Sequence, residues 1–213
     1  MKKGFVSTAV IRRLPRYYRF LSDLLKSGVI KISSGELGGR MGITPSQIRQ
    51  DFNCFGDFGQ QGYGYHIESL KREIAAILGI DMVKDAVIVG AGNLGRALAN
   101  HVYFEKRGFK LTGIFDNSPD LIGREIGGLE VKNISELDAF VKENKPVIAI
   151  LTLPKTETHA MVERLTALGV KGFWNFSHAD NMRIPGVFFE DVHLEDSLMT
   201  LSYRISNMDQ QEI

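Results

Sequence analysis

The stretch "AVIVGAGNLG", residues 86–95, constrains the fold of this 213-residue chain more than any other feature. Its apolar residues predict a buried strand, and the glycines after them predict a tight turn into a helix. In dinucleotide-binding folds the first glycine permits the turn, the second admits the pyrophosphate and the third lets the helix pack closely on the strand. The helix N-terminus then attracts phosphate. The candidate phosphate-binding residues are Gly90, Ala91, Gly92, Asn93, Leu94, Gly95 and Arg96.

An acidic residue on the next strand identifies the expected nucleotide. Asp116 follows the predicted strand Leu111–Phe115, about twenty residues after the last glycine. Its carboxylate is suited to accept hydrogen bonds from an adenosine ribose and to repel a 2′-phosphate, which favours NAD(H) over NADP(H). The alternative is an α/β domain that has a glycine turn but binds no dinucleotide.

Alternating strands and helices surround this unit and predict a parallel sheet covered on both faces. The other predicted strands are Ala86–Val89, Val147–Leu151, Gly172–Phe176 and Val187–Glu190, and the predicted helices are Leu94–Lys106, Ser135–Lys142 and Glu157–Leu168. Ligands of such sheets bind at the carboxyl ends of the strands. Four residues after these strands are therefore candidate contacts to a nicotinamide: Thr152, Pro154, Asn175 and Ser177.

The charge of the chain is divided between its two parts. Residues 1–80 carry 12 Lys and Arg against 6 Asp and Glu, whereas residues 81–213 carry 14 against 19. This division favours a polyanion as the partner of the first part alone. The alternative is a chance fluctuation in charge along the chain. Cys54 is the sole cysteine, so an intrachain disulfide is excluded. No signal peptide or membrane-spanning run is visible, and a cytoplasmic location is expected.

The basic part has the pattern of a helix-turn-helix. Ser34 is the predicted cap of a helix that runs to about Met41, Gly42 ends it, and Thr44 with Pro45 begins a second helix. Flanking helices are predicted from apolar residues at helical spacing, namely Tyr18, Leu21, Leu24 and Leu25 before the motif and Leu70, Ile74, Ile77 and Leu78 after it. The intervening "GDFGQQGYGYHI" is typical of a β-hairpin wing.

The last twenty residues place one apolar stripe on a helix, formed by Leu194, Leu198, Leu201, Ile205 and Met208. Such a stripe packs against a partner helix or against its own domain, and the pattern alone leaves both open. Too little chain remains for a second-substrate domain, and the spacing of the histidines forms no recognisable metal motif or catalytic triad. An enzyme is therefore disfavoured. The predicted domains are residues 1–80, 85–193 and 194–213.

The chain resembles the Rex family of redox-sensing transcriptional repressors. The resemblance rests on "RLPRYYRFL", "SSGELGGRMGITPSQIRQDF", "FGDFGQQGYGY", "VIVGAGNLGRALAN", "GIFDNSP", "AILTLP" and "GVKGFWNFS", which together span nearly the whole chain. It implies an α/β protein with a winged helix-turn-helix domain, a Rossmann-like domain for NADH and NAD⁺, and a homodimer with a domain-swapped C-terminal helix. It also implies that NADH releases the repressor from a pseudo-palindromic DNA operator.

By position, the resemblance implies a recognition helix over Pro45–Phe55. Its Arg49 is suited to pair with guanine. The implied DNA-contacting residues are Arg12, Arg13, Arg16, Ser46, Gln47, Arg49, Gln50, Gln60 and Gln61. Gln50, Gln60 and Gln61 stand where many relatives carry basic residues, which predicts a shallower salt dependence or a different operator preference. Cys54 in the same helix is expected to be a small packed thiol.

Three residues depart from the family pattern in the redox-sensing region. The family usually has a tyrosine where this chain has His101, and Asp-Phe where it has His193-Leu194. The resemblance places these residues beside the nicotinamide, where the tyrosine and aspartate pair across subunits. Two histidines do not reproduce that pair, so two alternatives stay open. One is a Rex-like repressor with an effector other than NADH, and the other is a module that binds CoA or another adenine nucleotide.

Overall fold

The computed structural model describes residues 6–55, 64–101, 104–180 and 182–207, with no account of the side chains of His101 and Lys106. The chain divides into two compact units, Met1–Met82 and Val83–Ile213. Within the described part, no helix is both long enough and apolar enough to cross a bilayer.

The first unit is helical with one short sheet. Its elements are α1 (Thr8–Lys26), β1 (Lys31–Ile32), α2 (Ser34–Met41), α3 (Pro45–Asn53), β2 (Tyr65–His66) and α4 (Ile67–Leu78). The predicted turn between α2 and α3 is confirmed, since Gly42 has a φ of 65° and the hydroxyl of Thr44 accepts from the backbone N–H of Gln47 at 3.2 Å. β2 pairs with β1 in antiparallel fashion. Most of the predicted wing, residues 56–63, lies outside the described residues.

The turn of the helix-turn-helix passes close to the backbone of α2. A Cβ on Gly38, within α2, would lie 2.4 Å from the carbonyl oxygen of Ile43 in the turn. The core of the unit gathers apolar side chains from all four helices, and Tyr17 of α1 packs on Phe52 of α3 with ring centroids 4.9 Å apart. α3 is therefore fixed by contacts on its inner face, which leaves its outer face free for other contacts.

Several local predictions for this unit were wrong. Ser33 caps α2 instead of Ser34, because its hydroxyl accepts from the N–H of Glu36 while the Glu36 carboxylate accepts from the N–H of Ser33. The recognition helix ends at Asn53 and not at Phe55. The predicted apolar faces of α1 and α4 are largely confirmed, since Leu21, Leu24, Leu70 and Ile74 are buried, but Ile77 is exposed. α1 buries Val10, Leu14, Tyr17, Leu21 and Leu24, and α4 buries Ile67, Leu70 and Ile74.

The second unit is a seven-stranded sheet with helices between its strands. Its strands are β3 (Lys84–Val89), β4 (Phe109–Asp116), β5 (Glu125–Ile126), β6 (Leu129–Asn133), β7 (Ile148–Leu151), β8 (Gly172–Asn175) and β9 (Phe188–Asp191). Its α-helices are α5 (Asn93–His101), α6 (Leu137–Asn144), α7 (Lys155–Ala167) and α8 (Leu194–Ser206). The strand order is β5-β6-β4-β3-β7-β8-β9, and every neighbouring pair except β5–β6 is parallel.

The predicted parallel sheet is confirmed, but two strands were missed. β5 and β6 form a short hairpin, and β6 extends the sheet beside β4. The sequence "LEVKN" is too short and too polar to stand out as a buried strand. The first Rossmann helix is described over Asn93–His101, and residues 102 and 103 lie outside the described part. Phe104 is not helical and Glu105–Arg107 form a 3-10 turn, whereas a continuous helix to Lys106 was expected.

Candidate functional site

The glycine turn between β3 and α5 is shaped by two close contacts and one open space. Gly90 has a φ of 100°, and a Cβ on it would lie 2.6 Å from the carbonyl oxygen of Thr152. A Cβ on Gly95 would lie 2.0 Å from the carbonyl oxygen of Gly90. A Cβ on Gly92, in contrast, would meet no atom within 4 Å. The turn thus leaves space at the position where a pyrophosphate approaches the backbone in this type of fold.

The first turn of α5 faces that space. Its N–H groups have no intrahelical acceptors, and the helix dipole adds partial positive charge at this end. The side chains of Asn93 and Arg96 are held together, since the Arg96 guanidinium donates to Asn93 Oδ1 at 2.6 Å. Leu94 and Ala91 belong to the apolar cluster under the turn. The expected phosphate-binding residues are therefore brought together, with a guanidinium beside the helix N-terminus.

Asp116 lies at the carboxyl end of β4, next to β3. Its Oδ2 accepts from the N–H of Ala91 at 2.5 Å, and its Oδ1 accepts from the N–H of Ser118 at 2.7 Å. A carboxylate offers about four lone-pair sites, so both oxygens retain acceptor capacity. The side chain is half-buried. The arrangement fixes the carboxylate at the glycine turn, where it is able to accept hydrogen bonds from ribose hydroxyls.

Thr152 and Pro154 follow β7, on the other side of β3. The Thr152 hydroxyl donates to the carbonyl oxygen of Gly90 at 2.6 Å, so this side chain braces the glycine turn. Pro154 is exposed and immediately precedes α7. Both residues lie at the expected sheet edge, and the contact of Thr152 with Gly90 is one that sequence spacing did not predict.

Asn175 and Ser177 at the end of β8 are buried, with 1% and 3% of their surface exposed. The Asn175 amide donates to the carbonyl oxygen of Ala179 at 3.0 Å and to Asp191 Oδ1 at 2.8 Å, and its Oδ1 accepts from the N–H and the hydroxyl of Ser177. These contacts use the Asn175 side chain to shape the turn after β8. Any effect of Asn175 on a ligand at this edge would therefore act through the shape of the turn.

The three divergent sensor residues have different surroundings. His193 lies half-buried after β9, and its Nδ1 and Nε2 are 2.9 Å from His178 Nδ1 and 2.8 Å from Asp180 Oδ1. Leu194, the first residue of α8, is exposed. The side chain of His101 lies outside the described part of the structure. Within one chain, His193 is therefore paired with His178 and Asp180.

Asp51 is the polar centre of the helix-turn-helix unit. This fully buried carboxylate accepts from the Arg13 guanidinium at 2.6 and 2.7 Å, from the Tyr17 hydroxyl at 2.8 Å and from the Gln47 amide at 2.8 Å. The bidentate pair joins α1 to α3 and sets the angle at which α3 is presented. Arg13 and Gln47, two expected DNA contacts, thus make intrachain bonds that position the recognition helix.

These contacts shift the ionisation of all three titratable partners. Burial alone would raise the pKa of Asp51, but the hydrogen bonds from Arg13, Gln47 and Tyr17 outweigh it and lower that pKa below its usual value. The pKa of Arg13 is raised, chiefly by its hydrogen bonds to Asp51. The pKa of Tyr17 is raised by burial and by its hydrogen bond to the carboxylate. The network is therefore a charged pair with a neutral phenol at neutral pH.

Other expected DNA contacts are exposed side chains of α1 and α3. The Arg49 guanidinium donates to the hydroxyls of Ser34 at 2.9 Å and Ser46 at 3.1 Å, which orients it along the outer face. Arg12 and Gln50 are exposed. Arg16 is exposed too, and its guanidinium donates to the carbonyl oxygen of Met41. The remaining two expected contacts, Gln60 and Gln61, lie outside the described residues.

The expectation for Cys54 was wrong. Cys54 caps the C-terminus of α3 and is exposed, with its thiol 3.3 Å from the carbonyl oxygen of Gln50. Cys54 lies four residues after the exposed Gln50 and so continues the outer face of α3, whereas Ile48 and Phe52 lie on the buried face. The thiol is therefore a surface group beside the recognition helix.

Two family models cover most of the chain. The model described as putative DNA-binding protein N-terminus matches residues 5–53, and the model described as CoA binding domain matches residues 81–179. A redox-sensing transcriptional repressor Rex of Thermoanaerobacter sp. (strain X514) is 52% identical over 206 residues, which cover 96% of this chain and 92% of the relative. The Rex of Clostridium acetobutylicum is 49% identical over 201 residues, with 94% of each chain covered. This chain belongs to the Rex family.

Solved structures of the Rex family have the same fold. RSP in complex with β-NAD⁺ and operator DNA is 50% identical, with a TM-score of 0.89 over 97% of this chain and 95% of the RSP chain. RSP in complex with β-NADH is 47% identical, with a TM-score of 0.88 over 97% of both chains. The resemblance inferred from the motifs is confirmed, and so is the expected architecture of an N-terminal DNA-binding domain followed by a Rossmann-like parallel sheet.

In this Rex chain, sequence reasoning missed Asp51 and the neighbours of His193. Asp51 was detectable, because it shares the inner face of α3 with Ile48 and Phe52 at spacings of three and four residues. His178 and Asp180 carried no such signal. They follow β8, His193 follows β9, and only the parallel pairing of the two strands brings them together.

Proposed function

We propose that this Rex-family chain is a transcriptional repressor that binds operator DNA and responds to the NADH/NAD⁺ ratio, with NADH binding releasing it from DNA. The observation that carries the proposal is the presence, in one chain, of a helix-turn-helix with an exposed arginine face and a glycine turn built for a dinucleotide. The Rex relatives are redox-sensing repressors, and RSP has been solved with β-NAD⁺, β-NADH and operator DNA.

The residues around the glycine turn between β3 and α5 fit NAD(H). The open space at Gly92 and the N-terminus of α5 suit the pyrophosphate, and Asp116 suits the adenosine ribose. The residues at the carboxyl ends of β7 and β8, namely Thr152, Pro154, Asn175 and Ser177, are assigned to the nicotinamide side, with Asn175 acting through the shape of the turn after β8. The nicotinamide supplies the oxidised or reduced state that the protein senses. The protein binds and orients the dinucleotide, and we assign no catalytic role to any residue.

The proposed DNA interface lies on the outer face of α3. Arg49 and Gln50 are assigned to base edges, while Ser46, Arg12 and Arg16 are assigned to phosphates. Gln60 and Gln61 are assigned to the wing. Arg13 and Gln47 act through the Asp51 network, which fixes the angle of the recognition helix. Residues 1–80 would thus bind DNA and residues 85–193 the dinucleotide, with the protein located in the cytoplasm.

The proposed dimer uses residues 194–213. All residues of α8 are exposed, including Leu198, Leu201 and Ile205 of the predicted stripe. Met208, its last member, lies outside the described range. Such a face favours a second copy of the chain, and exchange of the helix between protomers covers it on both. Two recognition helices then reach half-sites about one helical turn of DNA apart, which matches a pseudo-palindromic operator.

The experiment is a DNA-binding titration with the RSP operator as probe and the full chain, without ligand and with NAD⁺, NADH or CoA. The proposal expects NADH to weaken operator binding by about tenfold or more, corresponding to a coupling of about 1.4 kcal/mol or more, while NAD⁺ leaves it intact. An effect of CoA in place of NADH would favour the alternative indicated by the CoA-binding family model. Equal operator affinity in all four conditions would refute the proposal.

A further inference from the structure

Four polar side chains of the second unit converge where β8 and β9 end. They are called here the His178 cluster, and they are His178, Asp180, His193 and Glu195. His178 Nδ1 lies 2.9 Å from His193 Nδ1 and 3.3 Å from Glu195 Oε1. One potential ligand atom from each of His178, His193 and Glu195 lies within 4.8 Å of the other two. One imidazole nitrogen and one carboxylate oxygen therefore meet at His178 Nδ1.

The separations match those of a metal site. Zinc bonds of about 2.0–2.1 Å in tetrahedral geometry place neighbouring ligand atoms about 3.3 Å apart. The observed separations of 2.9 and 3.3 Å are close to this distance between neighbouring zinc ligands. Imidazole nitrogen together with carboxylate oxygen is a donor set that zinc accepts readily. Small rotations of the side chains, which are about half exposed for His178 and Glu195, would equalise the distances.

Asp180 orients His193 for this role. Its Oδ1 lies 2.8 Å from His193 Nε2, and a carboxylate accepts only from a protonated nitrogen. In a neutral imidazole the proton on Nε2 leaves the lone pair on Nδ1, which is the atom that faces His178. A histidine that ligates a metal commonly donates its other N–H to a carboxylate in this way. The ligand atom of His193 is thus presented in the correct tautomer.

We propose that His178, His193 and Glu195 bind a divalent metal ion of the zinc class, with Asp180 as the positioning residue for His193. The site joins the loop after β8 to the start of α8, since His193 precedes that helix and Glu195 lies in its first turn. All of α8 is exposed within the chain. Metal binding therefore fixes the direction in which the apolar helix leaves the second unit. The proposal requires neither DNA nor a nucleotide.

The test is calorimetric titration of the untagged full chain, freed of metal, with Zn²⁺ alone. We expect one saturable zinc ion per chain. The variant His178→Asn should weaken zinc binding at least tenfold, and asparagine suits this position because His178 has a φ of 56°. Glu195→Gln keeps the shape of the side chain and should also weaken binding. Asp180→Ala should weaken it about tenfold without removing a ligand.

His159→Asn is the matched control, because His159 is an exposed histidine on α7 outside the cluster. It should bind zinc as the parent chain does. A second readout is the visible absorption of Co²⁺, which should show a low-symmetry nitrogen and oxygen site in the parent and the control but not in His178→Asn. The proposal is overturned if the parent shows no saturable zinc binding. It is equally overturned if His178→Asn and Glu195→Gln bind zinc as tightly as His159→Asn.

Discussion

The two units prepare their candidate binding surfaces in different ways. The glycine turn relies on backbone space, with no Cβ at the three positions where helix, strand and pyrophosphate meet. The helix-turn-helix relies on side-chain charge, because a buried aspartate binds Arg13, Tyr17 and Gln47 and so positions α3. The first surface should therefore be sensitive to a single added methyl group, and the second to the loss of a single charge.

The largest loss of stability is expected from Gly95→Ala. The added Cβ would lie 2.0 Å from the carbonyl oxygen of Gly90, so β3 and α5 must separate. The free energy of unfolding should fall by about 3 kcal/mol. Urea denaturation measures it, with Gly92→Ala as the control in the same turn. Equal stabilities of the two variants would contradict the close packing described for this turn.

Asp51→Asn tests the charged network of the other unit. Asparagine keeps the shape but leaves the Arg13 guanidinium without its carboxylate, and loss of one partner of a buried pair is destabilising. Because Arg13 retains 30% exposure and is able to turn towards water, the unfolding free energy should fall by about 2 kcal/mol. Operator affinity should fall as well. The control Asp23→Asn removes an exposed partner of Lys26 and should lower the free energy of unfolding by less than about 0.5 kcal/mol.

Arg49→Lys separates base reading from positioning. Lysine keeps the charge but loses the planar fork, so operator binding should weaken by about 2 kcal/mol and discrimination at one base pair should relax. Arg72→Lys is the matched control, because Arg72 is also exposed and also donates to a serine three residues earlier. Competition binding with single-base operator variants measures both quantities. If Arg49→Lys changes operator affinity and base discrimination as little as Arg72→Lys does, Arg49 does not contact a base edge.

Gly92→Ala should leave the fold intact and weaken dinucleotide binding about tenfold, or about 1.4 kcal/mol. Its Cβ meets open space in the protein alone, so only the ligand collides with it. Calorimetry with NADH and with NAD⁺ measures the loss, and Gly39→Ala is the control because its Cβ also meets no atom within 4 Å. Undiminished NADH binding by Gly92→Ala would place the pyrophosphate elsewhere.

The smallest expected effect is a pH dependence of the free energy of unfolding. The pKa of Asp51 is lower in the folded chain than in the unfolded chain, so the unfolded state binds more protons as the pH falls. The contribution of Asp51 is complete above the ordinary aspartate pKa of about 4 and declines as the pH falls through its folded pKa. The difference in unfolding free energy between the parent and Asp51→Asn should therefore narrow from pH 6 to pH 3. A constant difference would contradict the lowered pKa.

Prediction from the sequence succeeded where a pattern is local. The strand before Gly90, the turn at Gly42 and the cap at Thr44 depend on neighbours a few residues away. Prediction failed at the start of α2, where Ser34 was expected to be the cap although Glu36 stands three residues after Ser33, at the spacing of a capping box. The strand Leu129–Asn133 was missed because its pairing with β4 is what makes it a strand.

The sequence by itself determined that this chain joins a helix-turn-helix to a dinucleotide fold, because glycine, proline and capping residues act on their own stretch of backbone. Only the tertiary structure decided which polar groups meet. Asp51 lies 38 residues from Arg13, and His193 lies 15 residues from His178, yet both pairs are in contact. Such contacts depend on strand order and helix packing, which residue spacing along the chain does not encode.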